Sequence, residues 1–278
     1  MLQVGKEHQH INFSVRIART GHNGKYMSSH KTHRRRGAAK TDGNPKFWGR
    51  HAVYAALDNP ERRLIKLWGT REEIGKIVIP DGLTVQYAEV TDLARYVPRD
   101  APHQGLVLEV APLEDVWLAD ILPQDDDDKR PILVLDQVTD PHNVGAIFRT
   151  AAAFDAVAVV TQDRHAPPES GALAKSASGG IELVPWVRVV NLARALEEIA
   201  EAGYWRIGLT GHTDVTLDQA LTPGRNALVL GAEGDGMRHN IEEHCDALAK
   251  LPINEQMESL NVSNAAAIAL YAATVKLG

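Results

Sequence analysis

Short apolar runs alternate with longer amphipathic segments along the second half of the chain. The segments "ILVLD", "AVAVV" and "NALVLG" have the length and composition of buried strands. By contrast, "NLARALEEIAEAG" has apolar residues at helical spacing and ends at Gly203, a residue typical of helix C-termini. Such alternation predicts a mostly parallel sheet with helices on both faces, which binds ligands beyond the carboxyl ends of its strands. We therefore expect functional residues just after Leu135, Leu209, Leu230 and Leu251.

The first half of the chain predicts a smaller α/β domain. The segments "RRLIKLWGT" and "HQGLVLEV" are typical of strands, and Asn59-Pro60 ends the helix predicted in "FWGRHAVYAALDNP". Four consecutive aspartates between two prolines then predict a linker. The predicted organisation is a disordered basic tail at 1–45, a small α/β domain at 46–122, an acidic linker at 123–130 and a larger α/β domain at 131–278.

Charge is distributed unevenly along the chain. The formal net charge is −6, which by itself argues against a nucleic-acid-binding protein. Residues 1–43, however, contain nine Lys or Arg against two acidic residues, so this segment carries +7 and the remainder −13. A basic tail on an acidic body adds sequence-independent attraction to phosphates. The alternative is a solvated tail without a partner.

Composition excludes several kinds of site. Cys245 is the only cysteine, which excludes an intrachain disulfide and a cysteine-based zinc site and fits a reducing cytoplasm. No apolar run reaches the roughly 18–20 residues of a membrane-spanning helix, and no secretory signal is recognisable. The twelve histidines show no ligand spacing. We therefore expect no membrane span and no metal site.

The first chemically distinctive segment follows the strand that ends near Leu135. A polar loop leads to Asn143, which we expect to cap a helix, and Arg149 follows six residues later between apolar neighbours. A lone arginine on a helix is most often a surface or ion-pairing residue. The alternative is a guanidinium fork for a phosphate or a carboxylate.

A second segment, "LVLGAEGDGM", runs from an apolar strand directly into Gly231, Glu233, Gly234 and Gly236. Glycines at a strand end allow a ligand to approach the backbone closely. Their spacing differs from the G-x-G-x-x-G pattern of dinucleotide-binding proteins. A plain tight turn is the alternative, although it does not account for Glu233.

A third segment, "SLNVSNAAAIALY", places Ser259, Asn261, Ser263 and Asn264 before an alanine-rich helix. A helix cap needs one such residue or two. The surplus, together with the free N–H groups of a helix start, suits a polar ligand. A double cap is the alternative.

Together these three segments resemble, in order and spacing, the signature motifs of the SpoU (TrmH-like) family of RNA ribose 2′-O-methyltransferases, within the SPOUT superfamily. The resemblance rests on "DPHNVGAIFRTA", "LVLGAEGDGM" and "SLNVSNAAAIALY" and covers roughly residues 130–276. Through "GRHAVYAAL" and "HQGLVLEV", the first half resembles the family's L30e-like RNA-binding domain.

The resemblance implies an α/β catalytic domain with a C-terminal trefoil knot, an exception to the rule that chains do not thread through loops. It also implies S-adenosylmethionine as cofactor, an RNA substrate and a homodimer with the active site at the interface. The implied cofactor-binding residues are Gly211, Gly231, Leu251, Ile253 and Leu260.

For catalysis, the resemblance implies that Arg149 grips the target phosphate and orients the ribose, because an arginine side chain is a poor base. Asn143 and Glu233 would hold Arg149 and its loop, while Ser259 and Asn261 would lie in the catalytic pocket. Glu255 is a departure, since the family commonly has a glycine in this loop.

A separate domain before the catalytic domain favours ribosomal RNA, and we expect methylation of a guanosine in 23S RNA. The alternatives are a transfer-RNA methyltransferase of the same family, a catalytically silent RNA-binding assembly protein, and a nicotinamide-dependent dehydrogenase. The glycine spacing disfavours the last of these.

Overall fold

The computed structural model describes residues 43–254 and 256–277. The predicted basic tail therefore lies outside the described residues except for 43–45. Glu255, the departure from the family pattern, also lies outside them.

A four-stranded sheet forms the first part of the described chain. Its strands lie in the order β1-β4-β2-β3, with β4 antiparallel to β1 and β2, and β2 parallel to β3. The predicted first helix ends at Asn59 as expected, but Phe47 and Trp48 belong to a strand that pairs with β4. The elements are β1 (Lys46–Trp48), α1 (Arg50–Asp58), β2 (Leu64–Gly69), α2 (Arg71–Ile74), β3 (Thr84–Tyr87), α3 (Val90–Leu93) and β4 (Leu106–Val110).

The segment between the two sheets contains one short helix, α4 (Leu118–Ile121), and no regular element at 123–130. Arg225 fixes the aspartate run from the side of the larger sheet. Its guanidinium donates to the backbone oxygens of Asp125 and Asp128, the latter over 2.8 Å. Tyr204 donates its hydroxyl to the backbone oxygen of Arg130 over 3.1 Å. The acidic segment therefore lies against the body of the protein.

The second sheet has six strands in the order β10-β8-β9-β5-β6-β7, and every neighbouring pair is parallel. The predicted parallel sheet is confirmed, although its last strand ends two residues before Leu251. The elements are β5 (Ile132–Leu135), α5 (Pro141–Ala153), β6 (Ala158–Gln162), a 3₁₀ turn (Asp163–His165), α6 (Gly171–Ala177), α7 (Gly180–Leu183), β7 (Trp186–Val189), α8 (Leu192–Glu201), β8 (Trp205–Leu209), α9 (Leu217–Ala220), β9 (Asn226–Leu230), α10 (His239–Glu242), β10 (Ala247–Ala249) and α11 (Val262–Leu277).

Helices cover both faces of this sheet. Leu133 of β5 belongs to one buried cluster with Phe148 of α5 and Leu270 of α11. Its neighbour Val134 belongs to a second buried cluster with Leu196 of α8. Successive strand residues point to opposite faces, so a strand buried on both faces is apolar at every position.

A buried ion cluster joins the α1–β2 loop to the larger sheet. The fully buried guanidinium of Arg62 lies 2.5 Å from Glu169, just before α6, and 2.7 Å from Glu182 in α7. Burial raises the pKa of Glu169, and the Arg62 charge opposes this shift. The two sheets are thus connected by charges that no solvent screens. Among the described residues, no helix combines the length and apolar character needed to cross a bilayer.

Candidate active site

The predicted functional segments converge at one edge of the six-stranded sheet. Strands β10, β8, β9 and β5 are consecutive neighbours and parallel, so their carboxyl ends lie side by side. Gly211 follows β8, Gly231 follows β9 and Leu251 follows β10. These three predicted cofactor-binding residues therefore lie beyond the ends of their strands.

Asn143 lies in the first turn of α5 and is not its cap. The cap is Asp140, whose carboxylate accepts a hydrogen bond of 2.9 Å from the backbone N–H of His142. Pro141 at the first helical position, where no N–H partner is needed, begins the helix before Asn143. The predicted cap was therefore wrong, and the Asn143 side chain is available for other contacts.

Asn143 instead connects the other two motifs. Its side-chain oxygen accepts a hydrogen bond of 3.0 Å from the amide of Asn261. Its own amide donates to a carboxylate oxygen of Glu233 over 3.4 Å. We call Glu233, Asn143 and Asn261 the polar relay. It joins the glycine loop after β9, the first turn of α5 and the start of α11, which are up to 118 residues apart in sequence.

Asn261 also begins the last helix. Its side-chain oxygen accepts hydrogen bonds from the backbone N–H of Ser263, over 2.9 Å, and from the hydroxyl of Ser263, over 2.6 Å. One asparagine therefore both caps α11 and reaches Asn143, so capping the helix leaves its amide available to the predicted pocket. Ser259 is exposed and Leu260 is half-buried in the approach to this helix.

Arg149 lies six residues after Asn143 in α5, roughly 9 Å further along the helix axis. Its side chain is exposed and makes no hydrogen bond or ion pair within residues 43–254 and 256–277. The expectation that Asn143 and Glu233 hold Arg149 therefore has no counterpart among these contacts. Its guanidinium is free to meet an anion from outside.

The glycines of the predicted cofactor site differ in their surroundings. A Cβ atom on Gly231 would lie 2.0 Å from the backbone carbon of Gly236, so this glycine lets the loop fold back on itself. Among the described residues other than its two chain neighbours, none has an atom within 4 Å of the same position on Gly211. Protein packing therefore does not need a glycine at 211. Of the other predicted cofactor-binding residues, Ile253 is exposed and Leu251 is half-buried.

Sequence reasoning missed a buried carboxylate at this edge. Asp136, at the end of β5, is 0% exposed and both of its oxygens accept hydrogen bonds from Arg238. Arg238 lies directly after the glycine loop, at the start of α10. The only available signal was an acidic residue following a continuous apolar strand.

A nucleophilic cysteine is disfavoured in this chain. Burial raises the pKa of Cys245 to about 12, so its thiol is neutral at physiological pH and a poor nucleophile. Across the part of the chain that the structure describes, no three His, Cys, Asp or Glu side chains are grouped as metal ligands would be.

Known proteins resemble this chain in sequence and in fold. The profile of the SpoU rRNA Methylase family matches residues 130–271, and that of RNA 2′-O ribose methyltransferase substrate binding matches residues 47–116. The 23S rRNA (guanosine-2′-O-)-methyltransferase RlmB of Pseudomonas syringae is 36% identical over 238 residues, which are 82% of this chain and 94% of that protein. RlmB of Salmonella typhimurium is 37% identical over 241 residues, 82% of this chain and 96% of that protein.

Solved structures share the fold. The AdoMet-bound rRNA methyltransferase of Sinorhizobium meliloti superimposes with a TM-score of 0.71 at 23% identity, over 84% of this chain and 88% of that one. The SpoU methyltransferase AviRb of Streptomyces viridochromogenes gives a TM-score of 0.68 at 20% identity, over 84% and 90%.

Proposed function

The chain belongs to the SpoU rRNA methylase family, and from that premise we propose that it methylates the ribose 2′-hydroxyl of a guanosine in 23S ribosomal RNA. It is an RNA 2′-O-ribose methyltransferase that uses S-adenosylmethionine. The observation that carries the proposal is the polar relay, because it brings the three signature segments to one strand edge. The RlmB relatives, matched over nearly their whole length, support guanosine in 23S RNA as the target.

Methyl transfer of this kind requires little covalent chemistry from the protein. S-adenosylmethionine, when bound, supplies a methyl group that is already activated by its sulfonium. The protein has to place the ribose hydroxyl in line with that methyl group and to provide a route by which the hydroxyl proton leaves. Gly211, Gly231, Leu251, Ile253 and Leu260 would hold the cofactor at the strand edge.

Arg149 would grip the phosphate next to the target ribose. Its guanidinium is exposed and has no side-chain partner among the described residues, which suits that role, since a guanidinium binds two phosphate oxygens in a fork. Since a guanidinium is a poor base, Arg149 would position the ribose and stabilise charge. The proton would leave through the phosphate, Ser259 or water, with Ser259 exposed at the approach to α11.

We also propose that the active protein is a homodimer. The last helix carries an exposed apolar face formed by Ile268, Tyr271 and Val275, with exposed fractions of 45%, 60% and 58%. Tyr271 meets Phe154, just after α5, edge to face at 6.2 Å. A second copy packed on this face would cover it and would lie beside the helix that carries Arg149. Light scattering measures the mass of the particle in solution. We expect a dimer for the wild type and a monomer for Tyr271→Asp.

Three further features remain proposals. The C-terminal trefoil knot is implied by the family. The domain limits at 46–122, 123–130 and 131–278 remain as predicted from the sequence. A ribosomal RNA substrate would place the activity in the cytoplasm.

The deciding experiment is methyl transfer from labelled S-adenosylmethionine to unmodified 23S RNA and, separately, to unmodified transfer RNA. We expect label on the ribose of one guanosine in 23S RNA, and its loss in Arg149→Ala. Label on transfer RNA alone would overturn the substrate and keep the chemistry. Binding of S-adenosylhomocysteine without transfer to either RNA would support a silent assembly protein. Normal transfer by Arg149→Ala would refute the role of Arg149.

A further inference from the structure

Asp136 and Arg238 form a tight ion pair behind the glycine loop. The Asp136 side chain is 0% exposed. The backbone N–H of Arg238 donates to one carboxylate oxygen over 2.9 Å, and its guanidinium donates to the other over 2.9 Å and 2.6 Å. The same guanidinium reaches Gln162 over 2.8 Å. Both oxygens of the buried carboxylate are therefore occupied by one arginine.

Asp136 holds the glycine loop at both ends, through its backbone at the start and its carboxylate at the end. The loop runs from Gly231 to Met237, between β9 and Arg238. At its start, the backbone N–H of Asp136 donates to the oxygen of Leu230 over 2.8 Å. At its end, Arg238 is fixed by the Asp136 carboxylate.

Between these two anchors the loop is closed on itself and reaches the active site. Ala232 and Gly236 exchange two backbone hydrogen bonds of 3.0 Å each. Glu233, in the middle of the loop, accepts a hydrogen bond from the side-chain amide of Asn143. The position of Glu233 therefore depends on where the two ends of the loop are held.

We propose that Arg238, held by Asp136, is a positioning residue that fixes the Gly231–Met237 loop against the cofactor and keeps Glu233 in the polar relay. Arg238 acts through the loop and does not itself touch the reacting atoms. The inference rests on the proposed function, since it assigns the means by which that site is kept in shape. A buried carboxylate that loses its partner must move or recruit water, and the loop would move with it.

The chain offers a matched control for a general loss of stability. Arg206 and Asp246 form a pair of the same pattern, in which the backbone N–H, Nε and a terminal nitrogen of Arg206 donate over 2.9, 2.8 and 2.7 Å. Arg206 lies near the beginning of β8 and Asp246 just before β10. This pair is therefore at the amino ends of the parallel strands, away from the predicted cofactor site.

The experiment compares the full chain with Arg238→Met and Arg206→Met by two readouts. Hydrogen exchange measures the amides of 231–237 without ligand, and calorimetry measures S-adenosylhomocysteine binding. For Arg238→Met we expect faster exchange in this loop and roughly tenfold weaker binding, the scale on which a small misplacement acts. For Arg206→Met we expect both readouts to match the wild type.

Unchanged exchange at 231–237 in Arg238→Met would overturn the inference, as would equal loss of binding in Arg206→Met. If Arg238→Met fails to fold, Arg238→Lys replaces it under the same criteria, because lysine keeps the charge and loses the fork. A wild-type protein that does not bind S-adenosylhomocysteine would overturn the proposed function, and the exchange readout would still decide the inference.

Discussion

Asn261 donates its side-chain amide to the side-chain oxygen of Asn143 over 3.0 Å, which ties the start of the last helix to the first turn of α5. Replacing Asn143 by alanine removes this acceptor and also the donor to Glu233. We expect Asn143→Ala to lower kcat by about tenfold to a hundredfold, because misplaced catalytic groups carry costs of this order. Single-turnover methyl transfer at saturating S-adenosylmethionine measures the effect.

Asn143→Asp sharpens this prediction. An aspartate still accepts from Asn261 but places a second carboxylate beside Glu233, so the two negative charges repel. We expect a larger loss of kcat than in Asn143→Ala. Asn191→Ala, which removes the side-chain cap of α8, is the control and should lose stability by about 1 kcal/mol without loss of kcat. Equal activity of wild type and Asn143→Asp would contradict a role for the relay.

Much of the larger sheet could be predicted because its strands are buried on both faces. Such strands are short, continuous apolar runs, and "ILVLD" and "NALVLG" mark β5 and β9 to within a residue. Strand β1 was missed, since its three residues depend on pairing with β4 about 60 positions away. The cap of α5 was misplaced, although Asp140-Pro141 is a recognisable helix start.

The contacts inside the site were less predictable than the position of the site. Parallel strand ends must meet at one edge, so the three motifs could be placed together from the sequence. The pairing of Asp136 with Arg238 joins residues 102 positions apart, and an acidic residue after an apolar strand does not reveal which arginine it meets. Arg62 likewise meets Glu182 across 120 positions. Side-chain partners of this kind depend on the folded arrangement of the elements.

Gly211 allows a direct test of the predicted cofactor site. Its backbone φ is not positive and its Cβ position is open, so we expect Gly211→Ala to change the free energy of unfolding by no more than about 0.5 kcal/mol. If the cofactor lies against this glycine, the added methyl group should weaken S-adenosylhomocysteine binding by roughly tenfold, as a misplaced contact does. Calorimetry and urea unfolding measure the two quantities.

Gly231→Ala is the contrasting variant. Its methyl group would collide with the backbone of Gly236, so stability should fall by about 1–3 kcal/mol. If Gly211→Ala binds S-adenosylhomocysteine as tightly as the wild type, the prediction that Gly211 contacts the cofactor is wrong.

Arg62 is expected to be the most sensitive charged residue for stability. Arg62→Met would leave the buried carboxylates of Glu169 and Glu182 without their counter-ion, which costs about 3–5 kcal/mol. Urea unfolding measures the change. Arg194→Ala breaks an exposed pair with Glu198 and should cost at most about 0.5 kcal/mol. Similar values for the two variants would mean that the buried cluster contributes little to holding the sheets together.

Glu73 provides a prediction about acid stability. The side-chain hydrogen bonds from Arg50 and Lys76, each of 2.7–2.8 Å, lower the pKa of its carboxyl to about 2. An unfolded glutamate titrates near 4.3. The ionised carboxylate is therefore favoured by folding, and its contribution to stability is present above about pH 4.3 and is lost as the pH falls towards 2.

Glu73→Gln removes this proton linkage, so its free energy of unfolding should fall less steeply than that of the wild type between pH 5 and about pH 3. Urea unfolding at several pH values in this range gives the two slopes. Glu72→Gln is the matched control, because Glu72 is 80% exposed and shares Lys76 as its partner. Its slope should equal that of the wild type. Parallel slopes for Glu73→Gln and the wild type would show that Arg50 and Lys76 do not stabilise the carboxylate in solution.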